Sequence, residues 1–169
     1  MRVVIAGSSG LIGTSLVASM RAAGHEVLRL VRRKAAAPDE RGWDPYAGRV
    51  DEGTFDGVDA VVNLCGAGIA DKRWDDARKQ VLHDSRVVPA EVLSAAVVEH
   101  GVPVLVSSSG AHFYGDTGSR LADEDAPGGH TFMSRLTQEW EAATSVARNA
   151  GVRVVLMRTA VVISPSGGV

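Results

Sequence analysis

The chain has 169 residues, 18 Lys and Arg against 20 Asp and Glu, and a formal charge of −2. That is the size of one ordinary domain with a real core; the near-neutral charge argues against a broad nucleic-acid surface, and no apolar run reaches the length of a membrane span. A single cysteine, Cys65, excludes an internal disulfide framework and a cysteine-rich metal site. Met1 runs straight into an apolar strand and leaves no room for a signal peptide, so a cytoplasmic location is expected.

The first strand is Arg2-Val3-Val4-Ile5-Ala6, rich in β-branched residues. It stops at Gly7-Ser8-Ser9-Gly10-Leu11-Ile12-Gly13, after which Leu16, Val17 and Met20 recur at helical spacing up to Gly24. A glycine turn between a strand and a helix is a phosphate site, because the helix N-terminus presents free N–H groups and the positive end of its dipole. Gly7 permits the sharp turn, Gly10 leaves room for a pyrophosphate, and Gly13 lets the helix approach the sheet. The spacing is G-x-x-G-x-x-G, and its place directly between strand and helix supports dinucleotide binding over a plain turn.

Glu26 to Val31 is the second strand, ending at Arg32-Arg33-Lys34. An acidic residue near this point would accept the ribose hydroxyls of NAD. Arg32 and Arg33 stand there instead, and a guanidinium suits the 2′-phosphate of NADP, with NAD as the alternative. Residues 35 to 58 read as loop, with a short third strand at Arg41-Gly42-Trp43-Asp44 and no long helix in the crossover. Trp43 fits an adenine neighbour and a core cap equally.

Asp59 to Leu64 is the fourth strand, followed by Cys65-Gly66-Ala67-Gly68. Ligands in open parallel sheets lie beyond the carboxyl ends of strands, so Gly66 and Gly68 would let backbone pass close to a cofactor. Cys65 reads as a small buried residue; no neighbouring His activates it. Trp74, Val81, Leu82, Val88, Val92, Leu93 and Val97 form a helical stripe, with a kink or break expected near Val88 because Pro89 lacks an N–H. His83 and His100 show no metal-like pairing. Val102 to Val106 is the fifth strand and delivers Ser107-Ser108-Ser109 and the stretch to Gly115 to the glycine-loop edge. Residues 116 to 130 read as a mobile polar surface loop, not a metal site. One helix is expected through Phe132, Leu136, Trp140, Ala143 and Ala147, then a sixth strand from Val152 to Thr159. The alternation predicts one α/β domain over residues 1–169, a doubly wound parallel sheet of order 3-2-1-4-5-6.

Several stretches together resemble the atypical extended short-chain dehydrogenase/reductase family, and within it the NAD-dependent epimerase/dehydratase-like branch. They are the Gly7 to Gly13 turn, Trp43-Asp44-Pro45, Asn63-Leu64-Cys65-Gly66, Ile69 to Trp74, Asp84-Ser85-Arg86, Ser109 to Gly115, and Leu156-Met157-Arg158-Thr159. The resemblance covers essentially the whole chain. It implies a Rossmann-like fold with cofactor contacts from Gly7, Ser9, Gly10, Leu11, Ile12, Gly13, Arg32, Leu64, Cys65, Gly66 and Ser107. It implies a catalytic Ser109, with Tyr114 and Arg158 at the substrate side. Two departures stand out. The chain ends just after the sixth strand, as an N-terminal portion or truncated member would, so the substrate-binding region is expected to be missing or truncated. The Tyr-x-x-x-Lys signature is absent, and Phe132 and Leu136 stand at that spacing.

The expected function is therefore an NADP(H)-binding oxidoreductase or nucleotide-sugar-epimerase-like protein acting on a small molecule. Its rival is a dinucleotide-binding sensor or regulator without turnover. Neither nucleic acid nor membrane is expected as a partner, and a homo-oligomer stays open. With no Tyr–Lys pair, hydride transfer is expected to be weak or absent, and Ser109 is the residue whose loss matters most. Tyr114 needs a neighbouring cation to serve as a base, and His112 reads as a loop residue.

Overall fold

β-Branched and aliphatic runs form strands buried on both faces, and the amphipathic segments between them cover those faces as helices. The computed structural model describes residues 1–164 together with 167 and 168. The elements in order are β1 (Arg2–Ala6), α1 (Leu11–Ala22), β2 (Glu26–Val31), β3 (Glu40–Asp44), β4 (Arg49–Val50), β5 (Ala60–Asn63) and α2 (Asp76–Glu99). β6 (Val104–Gly110), α3 (Phe132–Ala142), α4 (Ser145–Asn149) and β7 (Arg153–Thr159) follow, then a small hairpin of β8 (Ile163–Ser164) and β9 (Gly167–Gly168). Short 3-10 turns occupy Pro45–Ala47 and Ala111–Tyr114.

The seven-stranded sheet has the order β4-β3-β2-β1-β5-β6-β7. Every pairing is parallel except that of β3 with β4. Without the edge strand β4, this is the predicted doubly wound order. β1 lies between β2 and β5, so the sheet reverses direction of growth there and opens a crevice at the carboxyl ends of β1 and β5.

Val4, Val61, Leu93, Val97 and Leu105 form the core under α2. Val3, Ile5, Val17, Val27 and Val62 form the core under α1. A third cluster, with Leu82, Val87, Met133, Leu136 and Trp140, joins α2 to α3. Each such aliphatic side chain contributes about 1.5–3 kcal/mol by leaving water. Trp43 belongs to the α2-side core at 6% exposure, which settles its two readings in favour of packing.

Four local expectations are corrected. α2 runs unbroken through Pro89. The proline removes a donor to the Ser85 carbonyl, but it lies on the buried face with Leu82, Ala90 and Leu93, and packing there holds the helix together. Trp74 precedes α2, and Trp74 and Val81 are exposed, so the buried stripe is Leu82, Val87, Ala90, Leu93 and Val97. The fifth strand does not stop at Val106 but runs through the three serines to Gly110, because β7 extends the ladder alongside them: Ser107 pairs with Leu156, Ser108 with Met157 and Ser109 with Arg158. The helix after Phe132 is two helices. Both the amide and the hydroxyl of Thr144 donate to the Glu141 carbonyl, at 3.1 and 2.7 Å, which tightens the chain and ends α3. Ser94 on α2 then accepts the Ala147 amide at 2.9 Å and seats α4.

Candidate functional site

The glycine turn is pressed against the end of β5. Gly7 has φ +79°, and a Cβ there would lie 2.7 Å from the Leu64 carbonyl. A Cβ on Gly13 would strike the Gly7 carbonyl oxygen. Both positions therefore require glycine. Gly10 is the N-cap of α1 and supplies no side-chain cap, and the first turn carries no acidic residue. The leading amides of α1, at Leu11, Ile12 and Gly13, have no intrahelical acceptor. Ser9, Gly10 and Ile12 are exposed beside them. No side chain caps these donors, so they remain open at the crevice.

At the tip of β2 the two arginines separate. Arg33 donates to both oxygens of Glu40, at 2.8 and 2.6 Å, and Glu40 is 3% exposed. Glu40 also pairs with Arg29 at 3.1 Å and accepts the Ala36 amide at 2.9 Å. The Arg33 guanidinium, helped by that amide, holds its carboxyl well below the usual range, at about 2. Asp39 is drawn down to about 2 as well, first by Arg29 and then by Arg21. Arg32 makes no hydrogen bond or ion pair among the described residues, and its charge is felt at Cys65 beyond β5. Arg32 thus stays available at the crevice while Arg33 is withdrawn. Nothing in local spacing marked Glu40 as the partner of Arg33, or Asp39 as that of Arg29 and Arg21; the pairing of β2 with β3 brings them there.

Burial pushes the Cys65 thiol up to about 12, against a weaker pull from Arg32, so it is no nucleophile at neutral pH. The Cys65 amide donates to Asn63 Oδ1 at 3.1 Å, and Asn63 Nδ2 donates to Ser107 Oγ at 3.3 Å. Asn63 and Ser107 are fully buried, so the Ser107 hydroxyl ties β5 to β6 beneath the crevice. The next loop is held from α2: Ser85 Oγ accepts the Ala67 amide at 3.0 Å, and Arg86 donates to the Ala67 carbonyl at 2.9 Å.

At the ends of β6 and β7, Ser109, Tyr114 and Arg158 come together through a residue that sequence reasoning passed over. Ser109 is 3% exposed, and its hydroxyl donates to Glu141 of α3 at 2.5 Å. Arg158 grips both oxygens of Glu141, at 2.8 and 2.9 Å, and donates to the Tyr114 hydroxyl at 2.9 Å and the Glu124 carbonyl at 3.0 Å. Its guanidinium also lies 3.6 Å over the Phe113 ring. Glu141 raises the Arg158 pKa further, so the group is a permanent cation. The inward face of α3 carries Met133, Ser134, Leu136, Thr137 and Glu141, with no phenol or ammonium. Phe132, at the missing tyrosine's spacing, packs edge-on against Trp74 at 5.7 Å.

The family described as NAD dependent epimerase/dehydratase matches residues 3–168. The chain belongs to that family. The epimerase-family relatives include a protein of Mycobacterium bovis, 52% identical over 98% of this chain and 55% of its own length. Human epimerase family protein SDR39U1 is 34% identical over 99% of the chain and 57% of its own length. Among solved structures, a nucleoside-diphosphate sugar epimerase from Corynebacterium glutamicum superposes with TM-score 0.86 at 36% identity, covering 99% of this chain and 35% of that one. Human SDR39U1 with NADPH superposes with TM-score 0.85 at 31% identity, covering 99% and 56%. The chain spans about half the length of the curated epimerase-family relatives it matches. In this epimerase-family chain no helix among the described residues is long and apolar enough to cross a membrane.

Proposed function

We propose that this chain binds NADP(H) across the β1–β5 crevice, as the dinucleotide-binding part of an oxidoreductase or nucleotide-sugar-epimerase-like protein acting on a small molecule. The observation that carries the reading is the pair of donor sets left open at one edge. The uncapped amides of α1 suit the pyrophosphate, and the unpaired Arg32 suits a 2′-phosphate. The carboxylates nearest in chain, Asp39 and Glu40, are already bound by arginines and cannot serve as ribose acceptors. The NADPH in the human relative's structure supports the choice of NADP over NAD. Gly7, Ser9, Gly10 and Gly13 would line the pyrophosphate, and Leu64, Cys65 and Gly66 the other half of the dinucleotide. The cofactor, when bound, supplies the hydride.

The chain's own residues do the rest. Ser109 donates its hydroxyl hydrogen bond to Glu141, so what its oxygen has left to offer a substrate is an acceptor. Tyr114 accepts from Arg158, which leaves the phenol proton free to donate. With no Tyr–Lys pair on α3, slow hydride transfer is expected, and Ser109 is the residue whose loss reduces it most. General acid–base help supplies about 10²–10⁴-fold, so its absence is measurable. Single-turnover oxidation of bound NADPH with a carbonyl panel, for the wild type and Ser109→Ala, tests this. Fast turnover that the mutation leaves unchanged would put the chemistry elsewhere. The bare inward face of α3 also favours a second reading, a dinucleotide sensor without turnover. Tight cofactor binding with no oxidation by any substrate selects it.

A further inference from the structure

Arg86 is the cation in this fold that packing has buried without a counterion. It is 9% exposed, on the inner face of α2, and has no carboxylate partner among the described residues. Its bonds go to neutral oxygens: the Leu82 carbonyl at 3.0 Å, Ser85 Oγ at 3.4 Å and the Ala67 carbonyl at 2.9 Å. The Trp140 ring lies 5.5 Å away. Burial and the neighbouring Arg78 both work against its charge, but a guanidinium keeps its proton. Leaving a charge in such a place is costly, and a neutral donor would satisfy the same carbonyls. The charge therefore calls for a use.

Its position supplies one. The guanidinium is packed on Gly66: a Cβ there would meet its carbon at 3.3 Å and its nitrogens at 3.4 and 3.5 Å. Gly66 follows β5, whose end touches the Gly7 turn. In this fold the pyrophosphate sits at that turn and the adenine half runs toward the end of β2. The other half must then cross the ends of β5 and β6, over Gly66 and Ala67. We propose that Arg86 is a specificity-determining residue that places a fixed positive charge behind the nicotinamide half of the site and makes it favour the neutral, reduced ring of NADPH over the cationic ring of NADP+. This rests on the dinucleotide reading above. The two roles of the α2 clamp separate by residue. Ser85 holds the Ala67 amide without charge, while Arg86 holds the carbonyl and carries the charge.

The test is the ratio of the dissociation constants for NADP+ and NADPH, measured by equilibrium titration on the wild type, Arg86→Lys, Arg86→Met and Ser85→Ala. Arg86→Met is expected to lower the ratio at least about threefold, since removing one unit charge at close range in a partly dry site is worth that much or more. Arg86→Lys is expected to keep most of the ratio. Ser85→Ala is expected to weaken both ligands alike. Should Arg86→Met fail to fold, Arg86→Gln, neutral but still a donor, gives the same comparison. An unchanged ratio in the folded neutral variant overturns the inference and leaves the cofactor reading standing. No binding of either dinucleotide by the wild type overturns both.

Discussion

Glu141 is where three elements meet through one carboxylate, and neutralising it strands a cation. Glu141→Gln would leave Arg158 with half its grip and Ser109 with a weaker acceptor. Breaking a buried pair on one side costs about 3–5 kcal/mol, so the urea midpoint of Glu141→Gln should fall sharply while its slope stays constant. A midpoint shift as small as that of a surface mutation would show the pair to be unimportant. At the other end of the edge, Arg32→Ala should erase most of a preference for NADPH over NADH. A charge-assisted contact is worth about 1.5–3 kcal/mol, about tenfold or more in affinity. Equal affinities already in the wild type would remove Arg32 from the site. The Asp39 and Glu40 carboxylates predict a pH dependence. Their folded values, about 2 for each, lie below ordinary carboxylates, so they stabilise the fold fully above about pH 4.5 and lose that contribution as the pH falls toward 2. Glu40→Gln should flatten the acid limb of a stability–pH curve; an identical limb would place the acid sensitivity elsewhere.

At the scale of elements, the glycine turn is the part most sensitive to a single carbon. Gly13→Ala puts a methyl group onto the Gly7 carbonyl, where overpacking costs about 1–3 kcal/mol. The expected result is a lower melting temperature together with weaker dinucleotide binding, while Gly24→Ala, strained by its φ of +79° but with open space around it, should lower the melting temperature and leave binding unchanged. Equal losses of binding from the two substitutions would contradict this. This turn was legible in the chain because its strand, glycines and helix are contiguous. The strand order was legible too, since β-branched runs and helical stripes alternate locally. What escaped was whatever depends on a neighbour distant in sequence. The Ser107–Ser109 stretch looks like a polar turn until β7 pairs with it, and Pro89 looks like a breaker until its face is buried. Glu141 looks like a surface acid of a polar helix; only the folded sheet brings Ser109, 32 residues earlier, within 2.5 Å. Arg33 looked equal to Arg32 until β3 supplied Glu40.

At the scale of the whole molecule, the described residues leave one edge of the sheet uncovered. β7 ends the ladder, Val155 on it is partly exposed, and Val161, Val162 and Ile163 just beyond are exposed as well. An unpaired strand carrying apolar side chains templates pairing with another chain. Sedimentation velocity should show association that grows with concentration, and Val155→Lys should reduce it. A strictly monomeric wild type at high concentration would count against an adhesive edge. The same molecule also contains its own gauge of opening. Cys65 is the chain's only thiol, and burial beside the crevice keeps it protonated. Cys65 is half-buried, so a disulfide reagent reacts slowly with the closed chain and faster with molecules whose β5 end has momentarily come free, and the labelling rate becomes a clock for that motion. A dinucleotide lying over Leu64 to Gly66 should slow the clock in proportion to its occupancy, which would let affinity be read from one sulfur atom with no turnover at all.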